Sequence, residues 1–196
     1  MTDRTATVVR KTKETDISLQ INVDGTGQYD IEIPVAFLKH MLELFSKHSL
    51  MDLRLRGSGD VDVDTHHLVE DIAICLGSAL DQALIDKAKI ARYGQCCLPM
   101  DEALVLCSVD LSGRAYLQMD LQCEPGKVGD FDVELAQDFF YALASNANIN
   151  LHLRQLSGKN RHHILEAAFK SFARALRQAA TVDPLQTGVP STKGVL

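Results

Sequence analysis

From Ala6 to Thr12 (ATVVRKT) and again from Asp16 to Val23 (DISLQINV) the chain carries β-rich runs that predict two strands. Asp24-Gly25 and Gly27 supply turn chemistry after them. The spacing then becomes helical. In VAFLKHMLELFSKH, Phe37, Met41, Leu44 and Phe45 fall close to one face. LMDLRLRG and VDVD alternate with period two and predict strands. A long apolar helix follows from about Leu68 to Ile85, with Asp64 and Thr65 as candidate N-caps. Beyond it, ALVLCSVDLSG and RAYLQMDLQ predict strands, ELAQDFFYALAS a helix, INLHLR a strand and HHILEAAFKSFARALRQAAT a helix.

The pattern is written twice. HHLVEDIAICLGSALDQA, from His66, aligns with HHILEAAFKSFARALRQA, from His162, at an offset of 96. Upstream, LRLR at Leu53–Arg56 meets LHLR at Leu151–Arg154 at an offset of 98, so the first copy has two more residues before its helix. Each half reads roughly strand–strand–helix–strand–helix. The expected fold class is α+β, with internally duplicated half-domains related by a pseudo-twofold axis and helices covering one face of each sheet. No Pro- or Ser-rich linker separates the copies. One fused domain over residues 1–196 is expected, with halves of about 1–93 and 94–196.

Composition narrows the function classes. Apolar residues are 46% and charged residues 23%, which fits a soluble globular protein and excludes a disordered one. The net charge of −6 without a long basic run makes nucleic acid and anionic membranes poor partners. No apolar run reaches the ~18–20 residues that span a bilayer, and MTDRTATVVRKTKETD has no signal core. Five cysteines, odd in number and without a CxxC, read as reduced thiols of a cytoplasmic protein.

The chemistry lies in HHxxE, which occurs at both copies. Residues at i, i+3 and i+4 share a helix face, so Glu70 joins His66 or His67, and Glu166 joins His162 or His163. Adjacent histidines diverge by about 100° on a helix, so one metal does not easily take both. The doubled motif therefore points to two metals with each HH pair split between them. Imidazole plus carboxylate suits a borderline divalent ion such as Mn, Fe, Ni or Zn. His40 lies 26 residues before His66, and its counterpart in the second half is Asp138. A dinuclear metallohydrolase would use the same ligand types, with metal-bound hydroxide as nucleophile. A weakly active or inactive metal-binding protein would also carry them.

TKETDI, VDGTG, HML, GDVDVDTHHLVEDIAICLG, RYG, PMDEAL, DLSGR, LHLRQLSGKNRHHILEAAFKSFARALRQA and PSTKG together resemble the imidazoleglycerol-phosphate dehydratase family over essentially the whole chain. The resemblance implies helices packed between two mixed sheets, a homo-oligomer of 24 subunits with cubic symmetry, and two Mn(2+) ions per active site at subunit contacts. It implies one metal on His40, His67, Glu70 and His162, and another on His66, His163, Glu166 and Asp138. It places the substrate phosphate at Arg92, Arg114, Lys170, Ser191, Thr192 and Lys193. The implied reaction is loss of water from imidazole glycerol phosphate to give imidazole acetol phosphate in histidine biosynthesis. It would run through an imidazolate and a diazafulvene held by the two metals. Glu14, which also touches substrate, and His48 are the implied proton shuttles, beside the catalytic ligands Glu70 and Glu166. The chain departs from the family at Pro34, Lys39, Leu44 and Asp138, clustered around one helix and its pseudo-symmetric mate.

Overall fold

The computed structural model describes residues 4–85 and 87–196. Strands β1 (Thr5–Lys11) and β2 (Thr15–Asn22) form an antiparallel hairpin, followed by β3 (Tyr29–Glu32), helix α1 (Ala36–Ser49), β4 (Asp52–Gly59) and helix α2 (His66–Leu84). The second half repeats this order with β5 (Tyr93–Met100), β6 (Ala103–Asp110), β7 (Tyr116–Asp120), helix α3 (Leu135–Ala147), β10 (Asn150–Ser157) and helix α4 (Arg161–Ala180). A small hairpin of β8 (Lys127–Val128) and β9 (Phe131–Asp132) is inserted before α3.

The two four-stranded sheets have matching orders, β1-β2-β4-β3 and β5-β6-β10-β7. Each is antiparallel except at one edge, where β3 runs parallel to β4 and β7 parallel to β10. Each four-stranded sheet thus contains one strand that the pattern does not predict, β3 in the first half and β5 in the second. VDVD is not a strand. Residues 61–63 form a turn, and Val63 is 70% exposed. The physical reason is lack of a partner: β4 pairs with β2 as far as Gly59↔Thr15, where β2 begins.

The helices lie between the sheets. The inner face of β2 (Ile17, Leu19, Ile21) packs under α2, and that of β6 (Val105, Cys107, Val109) under α4. Each shorter helix packs against the long helix of the other half, α1 on α4 and α3 on α2. Phe45 of α1 stacks on Phe172 of α4 at 5.8 Å across the exchange, and Phe140 of α3 meets Phe169 of α4 at 4.8 Å within the second half. Two glycines permit the close approaches. A Cβ at Gly77 would lie 2.6 Å from the Leu143 carbonyl oxygen, and one at Gly94 would collide with the Ala175 carbonyl.

Candidate active site

Both HH pairs open their helices, which start at His66, two residues before the expected Leu68, and at Arg161. Asn160 caps α4 by accepting the peptide N–H of His162 at 3.0 Å. At α2 the same service comes from Asp64, whose carboxylate accepts the His66 N–H at 2.8 Å, while Thr65 makes no side-chain cap bond. Helix α1 has no cap of its own side chain. Asp130, in the β8–β9 turn of the other half, accepts the N–H groups of Ala36 and Phe37 at 2.5 and 3.0 Å.

The α1–α4 pairing brings His40 to the start of α4. His40 Nε2 lies 3.7 Å and His162 Nε2 3.1 Å from the same Glu166 carboxylate oxygen. Each of the three offers a ligand atom within 4.8 Å of the others. Phe37 packs edge-on against the His162 ring at 5.3 Å, which fixes its plane. Glu166 is 8% exposed. Burial works to raise its pKa, and Lys170 and His162 outweigh that and hold it below the ordinary value. Two imidazoles and a carboxylate form a donor set that fits a borderline divalent cation.

The α2–α3 pairing makes the pseudo-symmetric counterpart. His66 Nδ1 lies 3.8 Å from the Asp138 carboxylate, with Glu70 one turn further along α2. Within the chain, then, Glu166 sits with His40 and His162, and His66 with Asp138; the ligand sets that the resemblance implies are shared between subunits, beyond a single chain. The outer histidines face acids of the hairpin turns and, at His67, of the β4–α2 loop instead. His67 Nδ1 is 3.0 Å from Asp60 and 4.0 Å from Glu14. His163 Nδ1 is 2.6 Å from Glu102, and its Nε2 is 3.6 Å from Asp101. Asp60 and Glu102 raise the pKa of His67 and His163 respectively through these bonds. The His163 bond, with the peptide N–H groups of Asn160 and Lys159, pulls Glu102 down to about 2.

His48 lies near Lys170, Arg174 and Glu166. Burial first, and then the Lys170 and Arg174 charges, lower its pKa and favour the neutral ring.

The expected phosphate contacts gather elsewhere. Arg92, with a left-handed φ of 69°, donates its peptide N–H to Ala179 at the end of α4. Its guanidinium forks onto Asp110 at 2.7 and 3.2 Å and holds the Pro190 carbonyl at 2.8 Å. That bond lays Ser191, Thr192 and Lys193 along this end of the sheet, and the chain's last residue, Leu196, reaches Gly113 beside Arg114. Lys170 is separate, paired with Glu166 next to the histidines.

Asp60, Glu102 and Asp130 were not among the residues singled out in the sequence. For Glu102 a signal existed: the hairpins align at an offset of 88, which sets Glu102 opposite Glu14. Asp130 carried none, because its partner lies 94 residues away.

The family model described as imidazoleglycerol-phosphate dehydratase matches residues 33–176. An imidazoleglycerol-phosphate dehydratase of Desulforamulus reducens is 52% identical over the full length of both chains. That of Listeria monocytogenes serotype 4a is 55% identical over 98% of this chain and all of its own. Among solved structures, the dehydratase of Staphylococcus aureus superposes with a TM-score of 0.83 at 39% identity, covering 91% of this chain and 99% of that one. That of Pyrococcus furiosus, solved in complex with (S)-C348, also gives 0.83, at 41% identity over 96% and 100% of the two chains.

Proposed function

The chain belongs to the imidazoleglycerol-phosphate dehydratase family of histidine biosynthesis, a family of carbon–oxygen hydro-lyases, and from that premise we propose a metal-dependent dehydration of imidazole glycerol phosphate to imidazole acetol phosphate, with two Mn(2+) ions at each active site. The observation that carries the metal dependence is the convergence of His40, His162 and Glu166. His66, Glu70 and Asp138 are the pseudo-symmetric equivalent, on α2 and α3. His67 and His163 complete the two sites from neighbouring subunits.

The reaction removes a proton that is not next to a carbonyl, so the imidazole ring must supply the push. When bound, the two cations would stabilise the ring without its N–H proton and so favour expulsion of the neighbouring hydroxyl. Glu14, with its carboxylate 55% exposed beside His67, takes the C–H proton that turns the dehydrated chain into an enol and then the ketone. His48, kept neutral, serves as the second proton carrier. Arg92, Arg114, Ser191, Thr192 and Lys193 hold the phosphate, with Lys170 closer to the ring.

Sharing of the site between copies, in a homo-oligomer of 24 subunits by the resemblance, is supported by distance. Helix α4 separates the His162 end from the Arg92 end by about 25 Å at 1.5 Å per residue. A glycerol linker is far shorter than that, so ring and phosphate must be held by different copies of the chain. All five cysteines stand as free thiols, which supports a cytoplasmic enzyme.

The test is ketone formation and assembly size, each measured with Mn(2+) and after chelation. Loss of both activity and mass on chelation is expected. Ketone formed by demonstrably metal-free protein overturns the metal dependence. Unchanged mass with metal gone overturns the shared site. Release of inorganic phosphate in place of ketone makes the enzyme a hydrolase instead.

A further inference from the structure

The two halves differ chemically beneath their HH pairs. In the first, Asp71 is buried on α2, next to Glu70. Its carboxylate accepts from Arg10 Nε of β1 at 2.8 Å and from Thr15 Oγ of β2 at 2.5 Å. The hairpin offset of 88 sets Arg10 against Leu98 and Thr15 against Ala103, and the helix offset of 96 sets Asp71 against Ala167. The second half therefore seats the same hairpin on the same helix with apolar side chains, and Ala103 and Ala167 are fully buried. The fold does not need the polar triad, and a buried ion pair is often no more stable than its apolar replacement.

What differs above the triad is the hairpin acid. Glu102 is fully committed, to His163 and to two peptide N–H groups. Glu14 is not, because Asp60 of the longer first-half loop takes His67 in its place. Thr15 is the residue after Glu14. Thr12 Oγ accepts the peptide N–H groups of both, at 3.0 and 2.9 Å, and the Asp60 N–H donates to the Glu14 carbonyl at 3.1 Å. The turn is thus tied to the β4–α2 loop through Asp60 and to helix α2 through Asp71, while the Glu14 carboxylate, 4.0 Å from His67, accepts no hydrogen bond among the described residues.

We propose that Arg10, Thr15 and Asp71 are positioning residues that anchor the β1–β2 turn so that Glu14 meets the substrate proton. This rests on the reading of Glu14 as the proton-transfer group. A general base has to lie within hydrogen-bond reach of its proton, and a misplacement of about 1 Å costs on the order of 100-fold. A carboxylate with no hydrogen bond of its own to hold it needs a rigid turn beneath it.

The experiment grafts the second half's residues onto the first, Arg10→Leu, Thr15→Ala and Asp71→Ala together, in the parent and in a Glu14→Gln background. The graft is expected to keep the assembly mass, the metal content and KM, and to lower kcat by about 10- to 100-fold. The isotope effect with substrate deuterated at the reacting carbon should rise. In the Glu14→Gln background the graft should cost nothing more, since two changes acting through one group are not additive. Parental kcat in the graft, or losses that multiply, overturns the proposal. Glu14→Gln with parental kcat overturns the reading of Glu14 itself, a separate result. Should the graft fail to fold, Thr15→Val removes only the hydroxyl and is read in the same two backgrounds by the same criteria.

Discussion

His66 Nδ1 lies 3.8 Å from the Asp138 carboxylate, in the place where the other half sets His40 against Glu166 and His162. Asp138 reaches less far than an imidazole and adds charge that makes a bound cation a weaker acid toward a ring nitrogen. Asp138→His is expected to raise the dehydration rate and to hold the second metal more tightly. Asp138→Ala is expected to lose about one metal per chain at limiting Mn(2+). Metal counting beside the ketone assay decides. Parental stoichiometry and activity in Asp138→Ala would remove Asp138 from the ligand set.

Arg4 ties the start of β1 to both Asp24 and the Ala180 carbonyl at the end of α4, the latter at 2.6 Å. The Arg4 bond lowers the Asp24 pKa against a smaller opposing effect of burial. A carboxyl lowered in the folded state stabilises at pH values above its unfolded pKa, about 3.9 for Asp, and loses that effect as pH falls through its folded pKa. Asp24→Asn should therefore unfold at lower urea than the parent at pH 7, by about 0.5–1 kcal/mol for a pair whose carboxylate is exposed to solvent. The gap should close below pH 4. Midpoints at fixed protein concentration across pH 7 to 3 test this, and a gap independent of pH would exclude the ion pair as its source.

Gly94 presses β5 onto α4 where a Cβ would strike the Ala175 carbonyl, a backbone atom that cannot rotate away. Gly94→Ala should cost 1–3 kcal/mol or more, about the usual range for overpacking. It should also loosen Arg92, two residues earlier, and with it the Pro190 contact. Thermal unfolding and the KM for the phosphorylated substrate are the readouts. A parental melting temperature would show that the strand can shift.

Helix periodicity carried the parts of this fold that depend on local sequence. The duplicated HHxxE helices were visible because both copies repeat the same spacing on one face. Two of the four edge strands, β3 and β5, were not: β3 has four residues, and only Ile31 is buried. VDVD alternates like a strand and is a turn, because alternation says nothing about whether a partner strand exists. The exchange of α1 and α3 between halves is a long-range choice, and it decides which carboxylate meets which histidine. Glu166 therefore meets His40, 126 residues away, a pairing that no spacing along the chain encodes. Arg92, expected on substrate, also holds Asp110 and the C-terminal segment, a pairing set by the β5–β6 register.

Glu102 offers the sharpest test of how the outer histidines are held. One carboxylate oxygen accepts the peptide N–H groups of Lys159 and Asn160, and the other faces His163 Nδ1. With the ring neutral, Nδ1–H donates to the carboxylate and the Nε2 lone pair is left to a metal. Glu102→Gln has nearly the same shape. Its carbonyl oxygen can keep both peptide bonds, while its amide N–H points at Nδ1. That nitrogen must then accept, so the proton moves to Nε2 and blocks ligation. Secondary structure and melting should hardly change, the 15N signal of His163 should report the other tautomer, and Mn(2+) affinity at one site per chain should fall by about 10- to 100-fold. If the tautomer switches and the titration with Mn(2+) is still that of the parent, His163 is not a ligand, and Glu102 serves only to cap α4.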